Sequence, residues 1–216
     1  MRLYIVRHGE SRGNLAGMLQ GSRVDEPLSP RGVRQAEALS ARLAPEPIDS
    51  AYASPMIRAL QTAEIVSAPH ALPIVADPDL LEFDWGVWCG RPLDSAMERE
   101  VAEIRARWRA GDLDAAPDDG ESPAAAARRA ARFLERLRAA RGTHPLIVAH
   151  GRFNRILMAT LLSRPLSRMD EIRQRNGSLS AFDWNGDGSV TPVLLDDVAH
   201  IPSDLRSVTG GSDSLK

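Results

Sequence analysis

Two short stretches of the chain are apolar at every position, Leu3-Tyr4-Ile5-Val6 and Pro145-Leu146-Ile147-Val148-Ala149. Unbroken apolar runs of this length mark strands buried on both faces of a sheet. Residues 49–53 predict a further strand, 72–76 a short edge strand, and 179–184 with 190–195 a hairpin around Asn185-Gly186-Asp187-Gly188-Ser189. Between these runs the apolar positions spread to helical spacing. Ala36, Ala38, Leu39 and Leu43 follow Ser29-Pro30, so a helix is expected with Ser29 as its cap and Pro30 in its first turn, stopped by Pro45 and Pro47. Further helices are predicted over 56–67, 93–109, 123–141 and 152–162, with the polar stretch 117–122 as a hinge. Strands alternating with helices predict an α/β fold: a three-layer sandwich, its mostly parallel central sheet flanked by helices, with a helical cap region. One domain is expected over residues 1–202, with 91–141 as the helical cap insertion and 203–216 as a disordered Ser- and Gly-rich tail.

Both buried runs end in the same dipeptide, His8-Gly9 and His150-Gly151. Open α/β sheets hold ligands beyond the carboxyl ends of their strands, so two imidazoles are expected at one sheet edge. Arg7 precedes the first of them, and Ser11 is placed to cap a helix beginning just after it. A third strand end, Ala51-Tyr52-Ala53, leads through Ser54-Pro55 to Arg58 in the first turns of the next helix. Arg7 and Arg58 each offer a planar fork of donors suited to phosphate oxygens.

Arg7-His8-Gly9-Glu10-Ser11 with Asn14, Ser54-Pro55 with Arg58 and Thr62, Glu82, and His150-Gly151 together resemble the histidine phosphatase superfamily, the phosphoglycerate-mutase-like proteins. The resemblance runs from Arg2 to about His200. It implies that His8 is a nucleophile that takes up a phosphoryl group, and that Arg7, Arg58 and His150 neutralise the charge in transfer. Such a nucleophile must be neutral, with one bare nitrogen and the other nitrogen's proton held by a fixed acceptor, here expected to be a backbone carbonyl. The resemblance further implies that Glu82 protonates the leaving group and later activates water, and that packing against Phe83 and Trp85 keeps it protonated. Asn14 and Gln20 match family positions for contacts to phosphate and substrate; Ser11, Gly151 and Trp85 join them as expected binding residues. Glu10 is expected to orient its neighbours. His200 resembles a histidine near the family's chain end, with an ordinary loop histidine as the other reading.

Within the family, mutases follow the general acid with Arg-His-Tyr-Gly, whereas Glu82 here is followed by Phe83-Asp84-Trp85-Gly86. That departure favours a phosphatase, a metal-independent phosphomonoesterase, over a phosphoglycerate mutase or a binding module that holds phosphorylated ligands without turnover. Cys89 stands where many members have Glu. The aromatics near Glu82, with Phe153, suggest an apolar pocket wall and a larger organic phosphate than glycerate.

Composition narrows the partners. A formal charge of -2 over 216 residues gives no electrostatic case for nucleic acid or a membrane surface. Cys89 is the only cysteine, which excludes an internal disulfide and a thiolate metal cluster. There is no Walker loop, no His-Glu-x-x-His and no dinucleotide glycine fingerprint. No cofactor or metal is expected. The expected partner is a small-molecule phosphate ester, with a homodimer left open. The N-terminus lacks the apolar region of a signal peptide and no run suffices to span a bilayer, so the expected compartment is cytoplasmic. The arginines of 128–141 are expected to form a solvated face.

Overall fold

A computed structural model of the chain describes residues 1–206. Its strands are β1 (Arg2–Arg7), β2 (Ser50–Ala53), β3 (Ile74–Ala76), β4 (Pro145–Ala149), β5 (Leu179–Trp184) and β6 (Val190–Asp197). Its helices are α1 (Arg12–Leu15), α2 (Pro30–Leu43), α3 (Ile57–Ser67), α4 (Ser95–Arg109), α5 (Pro123–Ala139) and α6 (Gly151–Leu161). The strands form one sheet in the order β3-β2-β4-β1-β5-β6. The first four are mutually parallel, and β5 and β6 run antiparallel as the expected hairpin. The α/β sandwich with a mostly parallel sheet is therefore the fold.

Register decides what reaches the sheet edge. Val6 lies opposite Val148 and Arg7 opposite Ala149, so the next residues, His8 and His150, leave the sheet side by side. Ala53 lies opposite Val148, which brings Ser54 and the start of α3 to the same edge.

Strand side chains alternate between faces, and the two faces have separate cores. Tyr4, Val6, Leu146 and Val148 pack with Ala36, Leu39 and Leu43 of α2 and with Ala59, Ala63 and Val66 of α3. Leu3, Ile5, Ile147 and Phe182 pack with the α5 and α6 side chains Phe133, Leu137, Phe153 and Leu157. Residues 91–141, expected as a cap, contribute both of their helices to this second core. Met97, Val101, Ile104 and Trp108 of α4 join it alongside α5. Phe133 is fully buried and meets Tyr52 edge to face at 5.7 Å, so its removal is expected to destabilise the fold by about 3–5 kcal/mol.

Two expectations are corrected here. Residues 203–205 form a short 3-10 turn rather than a disordered tail. Leu205 is buried against Val198 and Ile201, and its carbonyl accepts from Gln35 Nε2 at 2.7 Å. The rest of that expected tail, residues 207–216, lies outside the described residues. The second is the solvated arginine face. Arg132 and Arg136 are exposed and pair with Asp77 and Asp79, but Arg129 is buried with its guanidinium 4.1 Å over the Phe153 ring.

Candidate active site

His8 and His150 meet at the shared edge of β1 and β4 with ring centroids 5.1 Å apart. His8 Nδ1 lies 2.6 Å from the Gly9 carbonyl oxygen. A carbonyl can only accept, so Nδ1 carries the proton there and, in the neutral ring, Nε2 keeps its lone pair. The Gly9 amide in turn donates to Thr62 Oγ1 at 3.1 Å, and that hydroxyl donates to the Arg58 carbonyl at 2.7 Å, tying the His8 turn to α3. His150 is completely buried, and neither ring nitrogen has a hydrogen-bond partner among the described residues. Burial first, then the charges of Arg58 and His8, push its pKa well below 6.5. It is a neutral imidazole with unmet hydrogen-bonding capacity, which a buried group rarely has unless a ligand supplies the partner.

Arg7 and Arg58 are each 1% exposed. The Arg7 guanidinium donates to the Gln174 carbonyl and lies against Gly151, where an added Cβ would stand 3.1 Å from Nε and 3.2 Å from Cζ. Gly151 thus makes room for Arg7 instead of reaching the cavity itself. Arg58 donates to the carbonyls of Val24 at 2.9 Å and Gly21 at 3.0 Å, with Asp25 3.7 Å from Nη1. Burial pulls its pKa down to about 10, so it stays charged near neutrality. Met56, the residue preceding α3, offers no side-chain cap, and Asp25 takes that place by accepting from the Ile57 amide at 2.9 Å. No local motif announces that role for Asp25.

Glu82 closes the site from the other side. Its Oε1 accepts from the amides of Phe83 and Phe153, both at 2.9 Å, and Oε2 faces the Arg152 amide at 3.4 Å. The carboxyl group therefore sits on the first turn of α6. Phe83 and Trp85 pack with Trp108 in the core, and Phe153 is fully buried beneath Arg129. Of the aromatics expected as an apolar pocket wall, Phe83 and Phe153 lie in the core. Trp85 does line the cavity, but it is 1% exposed.

Arg7, His8, Asn14, Gln20, Gly21, Glu82 and Trp85 enclose a tight pocket of about 20 Å³. Ser11 stands behind it, its Oγ 3.1 Å from Asn14 Oδ1 and 2.9 Å from Gln20 Nε2, so it positions those amides and caps α1. Glu10 accepts from Ser29 Oγ at 2.7 Å and so ties the His8 turn to the start of α2. His200 lies against the Gly177 carbonyl at 3.1 Å, behind the His8 backbone. The residues that sequence reasoning passed over are those of 174–177. Besides Gln174, Asn176 Nδ2 donates to the His8 carbonyl at 3.3 Å and to Asn14 Oδ1 at 3.1 Å, and the Gly177 amide approaches the Arg7 and His8 carbonyls. Gln174 holds Arg7 and Gly177 meets the β1 end through backbone, and Asn176 acts through a single side-chain amide, which leaves no sequence pattern to read. Among the described residues, no group of three or more His, Cys, Asp or Glu converges to hold a metal, and no helix is long and apolar enough to cross a membrane.

A strand-end histidine with a locked tautomer, a buried guanidinium and a carboxylate border the small pocket, with a second buried imidazole and guanidinium close to His8. The family model of the histidine phosphatase superfamily (branch 1) matches residues 3–197, and the chain belongs to that superfamily. It is 36% identical over 185 residues to a Yersinia pestis protein named probable phosphoglycerate mutase GpmB, covering 85% of each chain. Its fold matches the α-ribazole phosphatase of Shigella flexneri with a TM-score of 0.80 at 33% identity, over 92% of this chain and 98% of that one. YhfR of Bacillus stearothermophilus matches with a TM-score of 0.81 at 32% identity, over 93% and 99%.

Proposed function

We propose that this protein is a phosphomonoesterase that moves the phosphoryl group of a small-molecule ester first to His8 and then to water, without a metal. The observation that carries the reading is the His8 Nδ1 contact to the Gly9 carbonyl at 2.6 Å, which reserves Nε2 for attack. The Nε2 lone pair forms a bond to phosphorus as the ester P–O bond breaks, and the leaving oxygen takes a proton from Glu82. Glu82 then removes a proton from the water that attacks the phosphohistidine, and His8 returns to its neutral form. Arg7, Arg58 and His150 stabilise the charge on the transferred oxygens, the service a metal ion gives in other phosphoryl-transfer enzymes. The cytoplasm is the proposed compartment.

A phosphoglycerate mutase is the second reading, favoured by the relative of that name. The Phe83-Asp84-Trp85-Gly86 stretch after Glu82 supports the phosphatase instead. Hydrolysis of an aryl phosphate in the presence of chelator by the wild type and by His8→Ala tests the proposal. Metal-independent release by the wild type alone is expected. Activity that chelator abolishes and a divalent ion restores contradicts it, and phosphoglycerate interconversion without monoester hydrolysis supports the mutase.

A further inference from the structure

The pocket beside His8 is tight, and the alcohol half of the ester needs further room. A second cleft of about 300 Å³ shares Glu82 with it and is lined besides by Ser22, Leu81, Asp84, Glu121 and Arg129. Since Glu82 protonates the leaving oxygen, the alcohol extends into this cleft. Resting on the phosphomonoesterase reading, we propose that the alcohol is an uncharged, hydroxyl-rich group of the sugar or nucleoside class, and that the cleft discriminates against carboxylate-bearing alcohols.

The argument is one of charge and donors. Besides Glu82, which carries the proton for the leaving oxygen, two carboxylates line the cleft, those of Asp84 and Glu121, against one guanidinium. Arg129 is already committed: Nε and Nη2 donate to Glu121 at 2.8 and 2.9 Å, Nη1 to the carbonyls of Asp79 and Leu81 at 2.8 and 2.7 Å, and Nη2 reaches the Glu82 carbonyl at 3.4 Å. Arg23, which holds Asp84 at 2.9 Å, also donates to Asp119 at 2.8 Å. A substrate carboxylate would meet like charge with no uncommitted lining cation to receive it. Hydroxyl groups find acceptors instead, because each Glu121 oxygen takes one bond from Arg129 and can accept another, and Ser22 adds a hydroxyl.

The test compares kcat/KM for sugar and nucleoside monophosphates with that for phosphoglycerates and other phosphorylated hydroxy acids, with an aryl phosphate as an independent check of the chemistry. The expected preference is at least about 100-fold for the hydroxyl-rich esters. Glu121→Gln releases Arg129 donors into the cleft and is expected to shift that ratio towards the hydroxy acids by about 10-fold. If the variant melts below assay temperature, Asp84→Asn, which loosens Arg23, is expected to shift the ratio in the same direction. An enzyme that hydrolyses aryl phosphate but takes phosphoglycerates as readily as sugar phosphates overturns this inference and leaves the enzyme reading standing. An enzyme inactive on aryl phosphate and on every ester in the panel overturns that reading itself. An unchanged ratio in the folded variant overturns the part given to the carboxylates.

Discussion

Two clusters of buried arginine flank the start of α6, and they are solved in opposite ways. On one side Arg105, Arg155 and Arg109 approach Asp170 at 2.8, 3.5 and 3.7 Å, and Arg152 pairs with the same carboxylate while lying 5.5 Å from the Trp85 ring and 5.6 Å from the Trp108 ring. Burial alone would raise the Asp170 pKa, but the charges of Arg152 and Arg105 hold it at about 2. On the other side Arg7 and Arg58 donate to backbone carbonyls of Gln174, Val24 and Gly21, beside a His150 with no hydrogen-bond partner among the described residues. Carbonyls fix a guanidinium in place without cancelling its charge. The first cluster converges on one buried carboxylate; the second has the exposed Asp25 3.7 Å from Arg58 and lies beside the buried His150.

Substitutions should separate the two clusters, and the proposed nucleophile is expected to show the largest effect. His8→Ala is expected to lower kcat by about 10⁴-fold or more in aryl phosphate hydrolysis while leaving the melting temperature nearly unchanged. Arg58→Met is expected to lower kcat/KM by about 10³-fold yet to change folding stability by less than about 1 kcal/mol, because it removes a buried charge along with its hydrogen bonds. Asp170→Asn should do the reverse. It strands the arginines around it and is expected to cost about 3 kcal/mol, roughly 6–12 °C in Tm, with a far smaller loss of turnover. Equal loss of activity in these last two variants would erase the distinction.

The fourth prediction concerns pH and is the gentlest. The folded-state pKa of His150 is lowered by burial and by Arg58, so below about pH 6.5 the unfolded chain takes up a proton that the folded chain refuses. Its contribution to stability is therefore present above that pH and is lost as pH falls towards the folded value, at up to about 1.4 kcal/mol per pH unit. His200, also lowered by burial, adds in the same direction. Denaturant midpoints between pH 7.5 and 5.5 should fall for the wild type and fall less for His150→Gln; parallel curves would contradict the buried neutral imidazole.

The catalytic edge was legible in the sequence because two apolar strands ending in His-Gly obey a topological rule: ligands gather where parallel strands end. What periodicity could not supply was the pairing register that sets Arg7 opposite Ala149 and so brings the imidazoles together. Hydrophobicity also cannot separate a pocket wall from a core: Phe83 and Phe153 proved to be core, while Trp85 packs in the core and borders the cavity as well. Arg129 lies in a run of arginines that reads as solvated, and only the packing of α5 beside residues 79–82 turns it inward. Gln174 and Asn176 carry no motif, since the first holds Arg7 through its carbonyl. Charge committed within the fold and charge left for a ligand look alike in one dimension.

The central claim is that the cluster of Arg7, Arg58 and His150 receives a phosphoryl group and passes it to His8. Rapid alkaline quenching during turnover, followed by peptide mass analysis, tests it most directly. The account predicts one added phosphoryl group on the peptide carrying His8, lost with time as substrate runs out and absent from His8→Ala. Sustained hydrolysis with no such adduct, or an adduct on another residue, would contradict it.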